Sequence, residues 1–468
     1  MIATQTIAAI STPPGTGAIA VVRVSGPDAL AIADRIFSAQ LPESTKGSVV
    51  AAREGWQSHL ARHGYVYDPA SLTVMDEVVL IPYRGPRTYT GEDLVEINCH
   101  GGSLVTREIL DLCLREGARL ARPGEFTERA FLSGRIDLTQ AEAVLDLIQA
   151  KTSRQGRLAL SALSGDLGQE ISAIRKSLVE LLTGIVAGID FPEEVGDTPS
   201  DQVHDVTEDC LARLEVLSHT ARSGRFLREG LRLAIVGRPN AGKSSLLNQL
   251  LKFERAIVTE VPGTTRDSLE ELLDLSGIPV ILIDTAGIRP TVDQVERIGI
   301  ERTGRAINQS DLVLLVCDLS AGWGEPEEEI CRLVGGRPLL CIGNKVDLTP
   351  DASVAGLGNH GCFSIGPLAI SAKTGQGLPA LTAAIESWVF EGDSARQGRS
   401  SLNARQAELC LKAVAALQLV RSTLKSGLPQ DCLATDLKAA VDALSEISGE
   451  AVSEEVIHKV FANFCIGK

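Results

Sequence analysis

The chain has 468 residues, with 45 Lys plus Arg against 60 Asp plus Glu and a formal net charge of −15. That length exceeds what one hydrophobic core serves, so two or three domains are expected. An apolar share of 44% beside 22% charged residues excludes a disordered chain, and so acidic a balance argues against unaided, charge-driven binding to nucleic acid. The amino-terminal stretch has no basic residue before its first apolar run, and no apolar run reaches the roughly 18–20 residues that cross a bilayer. A cytoplasmic location is therefore expected. Ten cysteines at scattered spacings form no CxxC pair, which predicts reduced and mostly buried thiols instead of a zinc site or a disulfide framework.

Four stretches follow one another. In 1–118, short β-rich runs at 18–24, 77–81 and 94–97 are broken by Gly and Pro, which predicts an α+β domain. In 119–228 the texture turns helical. Leu160, Leu163, Leu167, Ile171, Ile174, Leu178, Leu181, Ile185 and Ile189 recur every three or four residues, which predicts one face of a long helix that Pro192 and Pro199 bring to an end. In 229–390, apolar runs at 231–236, 279–283, 312–317, 338–342 and 368–370 alternate with helical segments, as in a mostly parallel sheet covered on both faces. In 391–468, after a Gly/Ser/Arg-rich loop, two more stripes appear: Cys410, Ala413, Leu417, Val420 and Leu424, then Leu433, Leu437, Val441, Leu444 and Ile447. The simplest architecture is a multidomain chain in which an α/β domain is inserted into a discontinuous helical bundle.

The string GRPNAGKS from Gly237 to Ser244 fits GxxxxGK[ST] and stands between a strand and a helix, as a phosphate loop requires. Its glycines let successive N–H groups turn toward phosphate oxygens. Lys243 is expected to reach the β- and γ-phosphates and the Ser244 hydroxyl to ligate Mg²⁺. Downstream, Asp284, Thr285, Ala286 and Gly287 close an apolar strand, so that Asp284 can hold the metal through water. The switch-like run Gly263, Thr264, Thr265 offers Thr265 as a second Mg²⁺ hydroxyl. Asn344, Lys345 and Asp347 follow another strand, and the Asp347 carboxylate suits the two donors on one edge of guanine, a pair that adenine lacks. Ser371, Ala372 and Lys373 supply a backbone amide for the guanine oxygen. Together with Asn240, Ala241, Gly242, Ser245, Thr259, Glu260, Val261 and Pro262, these residues make up the expected GTP site of a P-loop GTPase domain of Ras-like type.

The position after Gly287 is Ile288, which can neither donate nor accept, so the attacking water has to be oriented by another group. Asn240, beside the hydroxyl- and carbonyl-rich loop 259–264, offers a place for a monovalent cation that would offset transition-state charge. Glu296 offers a carboxylate, with a solvated helix position as the plain alternative.

Beyond these motifs the chain resembles the MnmE (TrmE) family of tRNA-modification GTPases along nearly its whole length. The resemblance is carried by TPPG at Thr12–Gly15 with Arg23, Ser25 and Gly26; by YTGEDLVE from Tyr89 to Glu96; by His100-Gly101-Gly102; by RPGEFTERAF from Arg122 to Phe131; by DFPEE from Asp190 to Glu194; and by the terminal FCIGK, Phe464 to Lys468. It implies a homodimer in which 1–118 is a folate-binding and dimerisation domain, 119–228 and 391–468 form the split helical domain, and 229–390 is the G domain. It further implies K⁺ ligands at Asn240, Thr259, Val261 and Thr264, and a water-orienting glutamate at Glu296. A formyl-tetrahydrofolate would meet Arg23, Glu96, Arg135 and Lys468, with Arg135 standing where some relatives have Lys. A flavoprotein partner, MnmG, would supply redox chemistry and form a heterotetramer with the dimer. The product would be an aminomethyl or carboxymethylaminomethyl group at C5 of the wobble uridine of certain tRNAs.

Cys465 is most simply a buried small hydrophobe that anchors the tail, although the resemblance allows it a catalytic part in the modification. The basic segment 394–425 (Arg396, Arg399, Arg405, Lys412, Arg421, Lys425) reads first as a solvated helix face and second as a tRNA or partner surface. The acidic run Glu325–Glu329 reads as a helix start. Two other functions compete: a ribosome-assembly switch of the Era or EngA type, and a folate enzyme with a degenerate G domain.

Overall fold

The computed structural model describes residues 5–41, 55–253, 271–283, 296–349, 357, 363–391 and 401–468, leaving aside the side chains of 253 and 296–302. The chain divides into two compact units, Met1–Leu145 with Ser448–Lys468, and Asp146–Ile447.

The first unit contains β1 (Ile7–Ile10), β2 (Ile19–Ser25), α1 (Ala29–Ile36), β3 (Phe37–Ser38), β4 (Arg62–Tyr67), β5 (Val74–Tyr83), β6 (Leu94–His100), α2 (Ser103–Arg115), β7 (Arg119–Leu120), α3 (Glu125–Leu132) and most of α4 (Leu138–Gln149). Its sheet runs β3-β4-β5-β6-β2-β1-β7. All pairs are antiparallel except β1 with β7. Side chains alternate between faces with the period of two that a pleated strand imposes. In β2, Val22 and Val24 are buried while Arg23 between them stands on the other side. The covered face packs on Ile32, Ala33 and Ile36 of α1 and on Ile109, Leu112 and Cys113 of α2, spaced to share one side of each helix.

The second unit opens with α5 (Ser153–Leu163), α6 (Asp166–Asp190), α7 (Ser200–His219) and α8 (Ala221–Glu229). The α/β part follows as β8 (Leu231–Val236), α9 (Lys243–Phe253), β9 (Glu271–Leu275), β10 (Ile278–Ile283), α10 (Glu296–Gln309), β11 (Leu312–Asp318), α11 (Glu325–Val334), β12 (Leu339–Asn344), β13 (Ile365–Ala369) and α12 (Leu378–Val389). Then come α13 (Ala404–Lys425) and α14 (Gln430–Ser448), while α15 (Glu454–Ala462) belongs to the first unit. The sheet order is β13-β12-β11-β8-β10-β9, parallel except for β9 against β10. Helices α6, α7, α13 and α14 share one apolar core, in which both carboxy-terminal stripes are inward, whereas Leu158 of α5 and Phe226 and Leu227 of α8 pack into the core of the α/β part. The chain is thus multidomain, with a Ras-like α/β domain set between two helical stretches.

Two local expectations change, and one strand was not anticipated. The stripe of 160–189 is not one helix: Gly165, at φ +90, separates α5 from α6. Leu160, at 54% exposure, and Ile189, at 44%, accordingly fall outside the buried face. Strand β9 forms an antiparallel edge hairpin with β10, and Ser276 (φ +53) and Gly277 (φ +88) give the tight turn its two positive φ values. Residues 119–120, expected to be helical, pair with β1 before α3 begins. Among the described residues six cysteines are buried, whereas Cys432 and Cys465 are exposed. Cys465 is therefore not the buried anchor; Phe461 and Phe464 bury that part of the tail instead. Among the described residues no helix is long and apolar enough to cross a membrane.

Candidate functional site

The loop after β8 is shaped by contacts that exclude any side chain at two of its glycines. A Cβ on Gly237 (φ +148) would lie 2.3 Å from the Val316 carbonyl oxygen, and one on Gly242 (φ +100) would lie 2.1 Å from Nδ2 of Asn344. Asn240 is exposed at φ +63, a conformation asparagine tolerates better than most residues. Lys243 opens α9 and folds back, donating from Nζ to the carbonyls of Gly237 at 2.7 Å and Arg238 at 2.8 Å. Burial pushes its ammonium pKa down, which an anionic phosphate would reverse. Ser244 and Ser245 lie in the first turn of α9, whose amino end favours negative charge.

The base end is tied to this loop. Asn344, at the end of β12, donates from Nδ2 to the Ala241 carbonyl at 2.8 Å and accepts at Oδ1 from the Ala372 amide at 2.9 Å. One buried side chain thereby couples the phosphate loop to the Ser371–Lys373 turn. The Ser371 hydroxyl donates to Oδ1 of Asp347 at 2.7 Å and orients the carboxylate. Lys345, at φ +72, pairs with Asp318 at 2.6 Å. Lys373 offers its carbonyl to Gln249 at 3.2 Å. A cleft of about 450 Å³ opens among Gly242, Ser245, Asn344, Asp347, Ala372 and Lys373. A carboxylate held from one side keeps lone pairs for two further donors, which is what one edge of guanine presents.

The expected contacts Thr259, Glu260, Val261, Pro262, Gly263, Thr264, Thr265, Asp284, Thr285, Ala286 and Gly287, with Ile288, lie outside the described residues. Of the expected Mg²⁺ and K⁺ ligands, only Ser244 and Asn240 are described. Glu296 opens α10, with its side chain outside the described residues.

A second polar cluster lies in the first unit. Arg23 of β2 and Glu96 of β6 are direct cross-strand partners. The Arg23 guanidinium donates to Oε1 of Glu96 at 2.7 and 3.1 Å, and the Tyr83 hydroxyl donates to Oε2 at 3.1 Å. Burial, and then the charge of Glu96, raise the Tyr83 phenol. Arg23 sits 5.4 Å from the Tyr89 ring and 5.6 Å from the Phe126 ring. Arg135, exposed, donates to the Tyr89 carbonyl at 3.0 Å and stacks 5.0 Å from its ring.

The chain's last residues reach the same place. Gly467 (φ +97) passes so close to β1 that a Cβ would lie 2.2 Å from the Ile10 carbonyl oxygen. Its own carbonyl accepts from Ser11 at 2.9 Å, and that of Lys468 accepts from the Phe126 amide at 3.2 Å. Burial and then the nearby Arg23 lower the Lys468 ammonium, against opposing pulls from Glu96 and Cys465. Phe126 thus links the chain's end to Arg23, and Tyr89 links Arg23 to Arg135. The result is a small basic cluster around aromatic rings and one carboxylate. Sequence reasoning missed Tyr83 and the ring of Phe126; the alternation of β5 places Tyr83 on the same side as Ile81, the register partner of Glu96.

Of the basic segment after 394, Arg405 is bonded to the carbonyls of Glu446 and Ile447, Lys412 to Glu408 and Arg421 to Glu208. Arg405 and Arg421 join helices of the bundle, whereas Lys412 is exposed and pairs within its own helix, as a solvated face would; Arg396 and Arg399 lie outside the described residues.

Comparison with known proteins gives two family matches: "MnmE helical domain" over residues 138–465 and "GTP-binding protein TrmE N-terminus" over 6–135. The tRNA modification GTPase MnmE of Symbiobacterium thermophilum is 46% identical over 466 residues, covering 99% of each chain. That of a Nostoc species is 43% identical over 472 residues, covering all of both chains. Among solved structures, Era in complex with MgGDPNP and a 16S ribosomal RNA segment is 25% identical over 40% of this chain and 67% of its own, with a TM-score of 0.27. The G domain of the Thermotoga maritima FeoB iron transporter is 24% identical over 34% of this chain and 98% of its own, with a TM-score of 0.25.

Proposed function

Since the chain belongs to the MnmE family of tRNA modification GTPases, we propose that its GTP hydrolysis drives a folate-dependent, one-carbon modification at C5 of a tRNA wobble uridine. That it hydrolyses GTP in tRNA modification is the family's activity; the finer statements are our reading. The observation that carries them is the pairing of Arg23 with Glu96 across two strands, beside the Tyr89 and Phe126 rings, with Lys468 held at the Phe126 main chain.

These residues fit an anionic, donor-rich pterin cofactor. Glu96 keeps acceptor capacity for pterin N–H groups, Tyr89 offers a stacking face, and Arg23, Arg135 and Lys468 balance negative charge. When bound, formyl-tetrahydrofolate would supply the one-carbon unit. Lys468, its pKa already lowered, gives up a proton more readily than a free lysine. Cys465, exposed in the same tail, is a further candidate for a catalytic role.

In the G domain, Lys243, Ser244, Asp347 and the amides of the phosphate loop bind Mg²⁺·GTP. Ser244 and Thr265 would hold the Mg²⁺ directly and Asp284 through water, and Glu296 would orient the attacking water. A K⁺ held by Asn240, Thr259, Val261 and Thr264 would offset charge on the transferring phosphoryl group. We further propose a cytoplasmic homodimer that works with an MnmG-type flavoprotein, which would carry the redox steps.

Calorimetry with 5-formyl-tetrahydrofolate tests the cluster. Binding to the wild-type chain should weaken at least about tenfold in Glu96→Gln; no heat with the wild type, or equal affinities, would remove the folate reading. Mass spectrometry of wobble nucleosides from cells lacking the protein tests the rest. The C5 group should be absent, restored by the wild-type chain and not by Glu296→Ala.

A further inference from the structure

The acidic run at the start of α11 hides one residue that behaves unlike its neighbours. Glu325, Glu328 and Glu329 are exposed, whereas Glu327 has no exposed surface. Its two carboxylate oxygens do different work. Oε2 accepts the Gly324 amide at 3.1 Å and closes the first turn of the helix. Oε1 lies 2.9 Å from Nε of Arg238, the second residue of the phosphate loop, without hydrogen-bond alignment. The far end of the same guanidinium donates to the Gly322 carbonyl. A carboxylate taken wholly out of water persists only where a cation compensates it, so Glu327 and Arg238 stabilise each other's position. A helix start needs no such partner, since an exposed glutamate caps equally well.

Arg238 looks two ways. Its side chain is drawn toward the loop between β11 and α11, while its carbonyl accepts from Lys243 at 2.8 Å on the other side of the main chain. The residue before it, Gly237, is pressed against the Val316 carbonyl of β11. We propose that Glu327 is a positioning residue for nucleotide binding. By anchoring Arg238, it holds the first half of the phosphate loop in the curl that aims its amides, and Lys243, at the phosphates. Donors fixed before the ligand arrives need no ordering on binding, so the effect falls on affinity more than on turnover. The inference rests on reading Gly237–Ser244 as the phosphate loop.

Glu327→Gln separates the two tasks, because its amide oxygen still accepts from Gly324 while the negative charge is gone. In the full-length protein, the dissociation constants of fluorescent GTP and GDP analogues should each rise about tenfold, the scale on which outer partners of ligand-holding groups act. Hydrolysis at saturating GTP should stay within about twofold. The double variant Arg238→Met/Glu327→Leu removes both charges but keeps the volume filled, and should match or exceed the wild-type melting temperature while binding nucleotide as weakly as Glu327→Gln. Wild-type affinity in Glu327→Gln, or affinity restored in the double variant, would reduce the pair to packing and overturn the proposal. If Glu327→Gln fails to fold, the double variant decides alone. Lys243→Ala is the separate control: undiminished binding there would refute the phosphate-loop reading itself.

Discussion

Replacing Glu125 with Gln should loosen the segment that carries the Phe126 contact to the chain's last residue. Glu125 is 3% exposed. It accepts from two nitrogens of Arg119, one of them at 2.8 Å, from the Arg122 amide at 2.8 Å and from Arg129 at 3.1 Å. Burial works to raise its carboxyl, but the bonds from Arg119, Arg122 and Arg129 outweigh it and bring the pKa from 4.5 down to about 2. At about 1.4 kcal/mol per unit, that difference contributes about 3 kcal/mol at neutral pH. Because the folded pKa is depressed, this stability is fully present above pH ~4.5 and is lost as pH falls toward ~2. Hydrogen exchange followed by mass spectrometry reads it directly. Peptides spanning 119–132 should exchange roughly a hundredfold faster in Glu125→Gln at pH 7, the equivalent of about 3 kcal/mol. After correction for intrinsic rates, the gap between wild type and variant should narrow steadily from pH 4.5 to pH 2.5. A gap below threefold at pH 7, or one that stays constant down to pH 2.5, would show that the ionised carboxylate does not hold this segment.

Other consequences are local and quickly checked. Asp347→Asn should weaken GTP by roughly 10²–10³ and favour xanthosine triphosphate, whose extra carbonyl suits an amide donor; competition binding with the two nucleotides measures this. Gly242→Ala should break the Asn344–Ala241 bond, because the new methyl would sit 2.1 Å from Asn344 Nδ2, and nucleotide affinity measured by fluorescence titration should fall at least about tenfold. Gly467→Ala should displace the tail from β1, at a cost above ~1 kcal/mol from its positive φ alone, and Lys468 should become more sensitive to carboxypeptidase. Finally, GTP hydrolysis should drop sharply when KCl is replaced by NaCl, and equal rates in the two salts would exclude the K⁺ reading.

The amino-acid order by itself was enough for most of what depends on neighbours along the chain. A phosphate loop announces itself because its turn demands glycine at Gly237 and Gly242 and a helix directly afterwards, and the Asn344–Asp347 and Ser371–Lys373 strings declare themselves at strand ends in the same way. The paired stripes of α13 and α14 show their buried sides through period alone. The break at Gly165 and the edge strand β9 escaped, since a three-and-four spacing runs through a glycine unmarked and a short strand carries too few residues to show a period. What only tertiary structure decided are meetings between residues far apart: Glu327 with the phosphate loop 89 positions earlier, and the chain's end at Phe126, whose ring lies against Arg23. Local pattern reports which side of an element faces inward. It does not say which charge waits there, and for a buried carboxylate that partner determines whether it is a helix cap or part of a site.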